Sequence, residues 1–266
     1  MVLRVENLTK RYSETTALSE VSFEIPDGTF AVVLGESGAG KSTLLRILNG
    51  LTEPTSGGVY IDDEEITNSR SDVGMVFQQH NLVEELSAYS NALTGTLNRT
   101  GFLRSLLSRQ PAEEKELALE ALETVGLLDE AGQTVRSMSG GQQQRVGIAR
   151  ALVQQPELLL ADEPVASLDP SSAETVMAYL RETAKTRDLT TLASLHQVNI
   201  AREFGEQFIG LKQGRVVFTG SREELTTDVL EEIYGHIETE ELREEPDPEA
   251  VIEPAPEETP GIGAKP

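Results

Sequence analysis

Residues Gly35-Glu36-Ser37-Gly38-Ala39-Gly40-Lys41-Ser42-Thr43 read G-x-x-x-x-G-K-[ST], after the apolar run Ala31-Val32-Val33-Leu34 and before the helix-forming run Ser42–Leu48. No other feature restricts the fold as much. A strand must bring the chain to a tight loop, and a helix ending at Asn49-Gly50 must carry it away. The glycines permit backbone angles that turn successive N–H groups inward, as a cradle for phosphate oxygens. The helix that follows aims its positive N-terminal end at the same anion. Lys41 supplies a mobile point charge for the β- and γ-phosphates of a nucleotide, and the Ser42 hydroxyl can ligate Mg²⁺.

Such a loop needs a partner that offers a second magnesium contact and a group to activate water. Leu158-Leu159-Leu160-Ala161-Asp162-Glu163 is an apolar strand ending in two carboxylates. Asp162, at the strand tip, is the magnesium-side carboxylate. Glu163, one residue further, is the candidate general base that polarises the attacking water.

Around these motifs, strands and helices alternate. Residues 2–8, 20–25 and 29–34 read as short strands rich in Val, Ile and Phe, with a turn at Pro26-Asp27-Gly28. Residues 57–66 read as a strand pair, and Val73–Phe77 as a fully apolar strand inside a covered sheet. Residues 85–152 turn helical. Leu117, Ala118, Ala121, Leu122 and Val125 form a stripe at helical spacing over Glu113–Val125, and a second helix is expected from Gly141 to about Val153. Residues 171–187 predict a helix, 189–195 a strand, and 207–212 with 215–219 a hairpin turning at Gln213-Gly214. The pattern predicts a mostly parallel α/β core, residues 1–235, with a helical insertion at about 85–152. From 236 onward the chain is Glu- and Pro-rich without apolar periodicity, which predicts a disordered tail.

Composition excludes several classes. The formal net charge of −23 argues against nucleic acid as a partner, because counterion release needs a basic surface. Acids spread throughout, with six lysines against sixteen arginines, match the surface of a protein from a salt-loving organism, where self-repulsion is screened. Cysteine is absent, which removes disulfides and thiolate metal sites. No stretch approaches the roughly 20 apolar residues of a membrane span, and no secretory signal opens the chain. A soluble protein is expected.

Many nucleotide hydrolases share the two carboxylates and the lysine loop. Met138-Ser139-Gly140-Gly141-Gln142, followed by Gln143-Gln144-Arg145-Val146-Gly147-Ile148-Ala149-Arg150-Ala151-Leu152, discriminates among them. It resembles the signature of ATP-binding-cassette (ABC) ATPases, with Met138 in place of the usual leucine. Physically, Ser139, Gly140 and Gly141 open a second anion-binding helix. The resemblance spans about residues 1–235. It implies the P-loop NTPase fold of the ABC type: a mostly parallel sheet, an antiparallel β subdomain and an inserted helical subdomain. It further implies that Tyr12 stacks on adenine and that Gln78 contacts the magnesium and the water. Asp169, in Ser167-Leu168-Asp169-Pro170, would lie where two subunits sense each other's sites, and His196 would contact the γ-phosphate. Two copies would close head to tail around shared ATP.

The chain is also similar to the ATPases of phosphonate importers. The stretches that carry this likeness are Val73–Val83, Asn98–Leu107, Leu160–Pro170, Leu195–Ala201, Gly210-Leu211-Lys212 and Ile233-Tyr234-Gly235. That likeness implies import of phosphonate, or of phosphate- or phosphite-like anions. The partners would be two integral membrane permease subunits, docked near residues 79–100, and an extracytoplasmic substrate-binding protein. The chain would be peripheral, on the cytoplasmic face of the cell membrane. Alternatives are a cassette serving other cargo such as amino acids or lipoproteins, and a soluble ABC ATPase of DNA repair or translation. Having one cassette and no heptad arms disfavours the last.

Overall fold

The computed structural model describes residues 1–66, 70, 72–78, 81–98 and 111–235. Met1–His236 is one compact unit, and the expected tail, like most of Asn98–Leu107, lies outside the described residues.

Two sheets organise the unit. The six-stranded sheet has the order β10-β9-β3-β8-β7-β6. Its central strands are β3 (Phe30–Leu34), β8 (Thr190–Ser194) and β7 (Leu158–Asp162), with β6 (Val73–Val76) beside β7. Every residue of these four strands is buried, even the hydroxyl-bearing ones of β8, which fits a sheet covered on both faces. Pairing is parallel from β9 (Gln207–Lys212) through β6, and β10 (Arg215–Ser221) closes the edge antiparallel. The β9–β10 turn falls at Gln213-Gly214 as predicted, with φ of 47° and 75°, the doubly positive pattern of a two-residue hairpin.

The smaller sheet is antiparallel, in the order β2-β1-β4-β5. It comprises β1 (Leu3–Tyr12), β2 (Thr15–Ile25), β4 (Ser56–Ile61) and the short β5 (Glu64–Glu65). β1 and β2 run longer than the 2–8 and 20–25 expected. Their extra residues are mostly polar and paired across the hairpin, as in Arg11 with Thr16 and Tyr12 with Thr15, so no apolar run announced them. Alternating burial along β2 marks a sheet with one face on the core. That core joins Leu3, Val5 and Ile25 of the small sheet to Leu44, Leu45 and Leu48 of the helix after the glycine loop and to Leu160 and Leu192 of the large sheet.

The helices are α1 (Lys41–Leu48), α2 (Ala88–Leu93), α3 (Ala112–Thr124), α4 (Gly140–Leu152), α5 (Pro170–Thr186), α6 (Val198–Phe204) and α7 (Thr227–Tyr234). α3, α4 and α5 fall within a residue or two of expectation. In the stretch expected to turn helical from residue 85, α2 and a 3₁₀ turn (Thr94–Asn98) begin only after Ser87, whose hydroxyl accepts from the Ser90 N–H. Ahead of it, residues 84–89 pair antiparallel with 131–136, through Val135 N–H to the Leu86 carbonyl and Ala88 N–H to the Gln133 carbonyl. Neither α6 nor α7 was anticipated: each is under nine residues, too short for a helical stripe to stand out.

Candidate functional site

The parallel strands β3, β8 and β7 end on one edge, where their following residues meet. Ligands of open α/β sheets bind outside such carboxyl ends. β3 feeds the glycine loop, in which Gly35, Gly38 and Gly40 have φ of 154°, 81° and 108°. Gly35 is required by space as well: a Cβ there would stand 2.2 Å from the Leu211 carbonyl oxygen of β9. The backbone of β9 is held by its ladder to β3, so it cannot retreat. Gly35→Ala is expected to cost about 1–3 kcal/mol or more and to abolish nucleotide binding, as a thermal melt and an ATP titration would register.

Further bonds fix the loop. Gly214 N–H donates to the Ala39 carbonyl at 3.0 Å, and Ser19 N–H of β2 donates to the Gly214 carbonyl at 2.8 Å. The Gly35 N–H donates to the Tyr234 hydroxyl at 3.3 Å. The hairpin turn and α7 thus brace the loop from outside, which its motif alone could not reveal.

Lys41 is 4% exposed and folds back over the loop. Its ammonium donates to the Gly35 carbonyl at 2.7 Å and the Glu36 carbonyl at 3.1 Å. It lies 3.4 Å from the His196 ring nitrogens and 4.0 Å from Glu163 Oε1. Burial pushes the ammonium below the ordinary lysine value, and the Glu163 and Asp162 charges oppose that shift. A positive charge held in a partly desolvated cradle interacts strongly with an incoming anion.

Asp162 is the last residue of β7 and is buried. The Ser42 hydroxyl donates to its Oδ1 at 2.9 Å, and the Ser194 hydroxyl donates to the same oxygen at 3.0 Å. Glu163 follows at φ 48°, a left-handed conformation uncommon outside glycine. Its N–H donates to Ser194 Oγ at 2.9 Å, and its carboxylate Oε1 meets His196 Nε2 in a short contact. Glu163 is 15% exposed and His196 36%, so the pair is partly open to solvent. Lys41, Ser42, Asp162, Glu163 and His196 therefore form one cluster. Ser194 was the member sequence reasoning missed: a serine ending a strand that already holds two threonines carries no motif.

The donor set fits a small hard cation. Ser42 gives its proton to Asp162 and keeps lone pairs to offer, and Asp162 brings a carboxylate. Among the described residues no group of three or more His, Asp or Glu side chains could hold a metal ion unaided, so phosphate oxygens and water would have to supply the remaining ligands. Gln78 lies two residues beyond β6, exposed, at the strand end that pairs with Ala161.

No hydrogen bond among the described residues links Tyr12, Ser139–Gln142 or Asp169 to this cluster. Tyr12 ends β1, 47% exposed, with Lys10 Nζ 4.9 Å from its ring centre. Ser139 caps α4 in a reciprocal box: its hydroxyl accepts from Gln142 N–H at 3.2 Å, while Gln142 Oε1 accepts from Ser139 N–H at 3.0 Å. Gly140 and Gly141 follow in the first turn, where backbone N–H groups have no helical acceptor. Asp169 caps α5, accepting from Ser172 N–H at 3.0 Å, and the Ser172 contacts hold its carboxyl below the ordinary value. The two helix starts flank a polar cleft of about 150 Å³ lined by Ser139, Gly141, Gln142, Arg145, Ser171 and Ser172, among others. No hydrogen bond among the described residues joins Ser139–Gln142 to the Lys41 cluster.

Comparison with known proteins gives this arrangement a context. Residues 18–166 match the family described as ABC transporter. The phosphonates import ATP-binding protein PhnC of Halobacterium salinarum is 63% identical over 252 residues, covering 95% of this chain and 90% of that protein. PhnC 2 of Haloquadratum walsbyi is 61% identical, covering 89% and 84%. Among solved structures, the ATP-binding cassette MJ0796, a dimer in a post-hydrolysis state bound to ADP and Pi, aligns with a TM-score of 0.71 at 35% identity, covering 83% of this chain and 98% of that one. The fold, the glycine loop facing two carboxylates, and these likenesses agree: the chain belongs to the ABC transporter family.

Proposed function

We propose that this chain is the ATP-hydrolysing subunit of an importer of phosphonates, acting as a pair of copies on the cytoplasmic face of the cell membrane with two permease subunits and an extracytoplasmic binding protein. The observation that carries the catalytic part is the convergence of Lys41, Ser42, Asp162, Glu163 and His196 at the ends of β3, β7 and β8. The cargo rests on the likeness to the PhnC proteins over nearly the whole folded unit. No helix among the described residues is long and apolar enough to cross a membrane, so the passage itself belongs to other subunits.

In this reading ATP enters with its adenine against Tyr12 and its phosphates in the cradle of Gly35–Thr43, where Lys41 faces the β- and γ-oxygens. Ser42, Asp162 and Gln78 would hold Mg²⁺, which supplies charge neutralisation to the phosphates when bound. Glu163 accepts the proton of the attacking water, and His196 fixes the carboxylate that does so. Gly140 and Gly141 of the second copy present N–H groups without helical acceptors to the γ-phosphate, while Ser139 and Gln142, paired in the capping box, hold that helix start in shape. Asp169 stands beside them at the start of α5.

The complex of this chain with its permease and binding protein, reconstituted in vesicles, provides the test. An alkylphosphonate is expected to stimulate ATP turnover several-fold, and an amino acid to leave it unchanged. Stimulation by the amino acid alone would overturn the cargo assignment and leave the hydrolase standing.

A further inference from the structure

We infer that Ser194 is a positioning residue for hydrolysis, setting Asp162 and Glu163 relative to each other through one buried hydroxyl; this rests on the reading of Glu163 as general base. Ser194 is fully buried at the end of β8, the strand that lies between those carrying the glycine loop and the two carboxylates. Its pairing partners are Val33 in β3 and Asp162 in β7. No other side chain of β8 bonds to Asp162 or Glu163 in the hydrogen bonds described.

A serine hydroxyl can donate one bond and accept others, and here both capacities are used. The proton goes to Asp162 Oδ1 at 3.0 Å, and a lone pair receives the Glu163 N–H at 2.9 Å. The result is a directed chain from the Glu163 amide through Ser194 to Asp162, with the Ser42 hydroxyl arriving on the same oxygen from the glycine loop. The Glu163 amide is the one that must turn when the chain takes φ 48° at that residue. Without an acceptor at Ser194 that uncommon conformation loses its anchor, and the carboxylate is free to leave His196. Loss of the donor would let Asp162 rotate away from Ser42. Small displacements of this kind reduce rate far more than binding, because only the transition state needs the water, carboxylate and phosphate aligned.

Ser194→Ala, Ser194→Thr and Ser194→Cys in the full chain test the idea. Ser194→Ala is expected to lower kcat at least tenfold while the affinity for a fluorescent ATP analogue in EDTA stays within twofold. The magnesium concentration that half-saturates binding of that analogue should rise at least threefold, a readout independent of turnover. Ser194→Thr, which keeps the hydroxyl, should recover kcat to within a few-fold. A kcat within twofold of the parent in Ser194→Ala would overturn the proposal, as would equal losses in kcat and in metal-free affinity. Should the alanine variant melt below the assay temperature, Ser194→Cys decides: it nearly keeps the volume but weakens both bonds, so kcat should fall at least threefold, and parental kcat would overturn the proposal. Glu163→Gln run alongside separates the two readings. If that variant turns over normally, the general-base assignment fails; if it is inactive while the Ser194 variants are not, only the positioning role fails.

Discussion

Glu163→Gln is expected to reduce ATP turnover by about 10²–10⁴-fold, the range lost when a positioned general base is removed, while ATP still binds. Glutamine keeps the size of the side chain and an oxygen for His196, so the geometry around Lys41 and Asp162 should persist. It cannot take a proton from water. It also removes a negative charge that would face the γ-phosphate, so ATP should bind at least as tightly as to the parent. A complex that binds but does not hydrolyse should accumulate as a closed pair of chains, visible by size-exclusion chromatography with ATP and magnesium. Parental turnover by this variant would remove Glu163 from the mechanism.

Lys41→Met should act on the opposite step. Truncating one partner of a buried charge contact costs about 2–5 kcal/mol, here an ATP affinity about 30-fold weaker or worse. Yet the nucleotide-free protein should melt no lower than the parent. Burial holds the folded-state value of Lys41 below that of the unfolded chain, so the unfolded chain holds the proton more firmly. The lysine therefore subtracts from stability at pH below its folded value, and the deficit fades as pH rises from that value towards the unfolded one. Methionine removes the cost with little loss of volume. The paired measurement is a thermal melt with and without ATP: the parent should gain stability on binding, and the variant should not. A large drop in the melting temperature of the nucleotide-free variant would show instead that the contacts to the Gly35 and Glu36 carbonyls matter more than desolvation.

The elements that carry a strong local signal were legible before any coordinates. β3, β6 and β7 are apolar runs closed by turn residues, and the glycine loop and the signature each combine fixed spacing with a helix start. These are local features, and local features survive reading in one dimension. What escaped depends on distant chain segments. Tyr234 reaches Gly35 across 199 residues, and Gly214 reaches Ala39 by a backbone bond that no side chain announces. Ser194 looks like a filler on a buried strand until β8 is known to lie between β3 and β7. Two anion sites and one lysine loop in a single chain suggested a head-to-tail pair of copies, and that reading belongs to the proposal above.

The place of β8 also bears on how the protein is made. The glycine loop is complete by residue 43 and the carboxylates by residue 163, but the strand that separates them in the sheet is translated last of the three, at Thr190–Ser194. Until it leaves the ribosome, β3 and β7 have no neighbour to pair with on their facing edges, and such open edges invite association with other chains. The order of synthesis therefore leaves a window of about 30 residues, a few seconds at about 5–20 residues per second, during which the growing chain holds both halves of a nucleotide site and cannot join them.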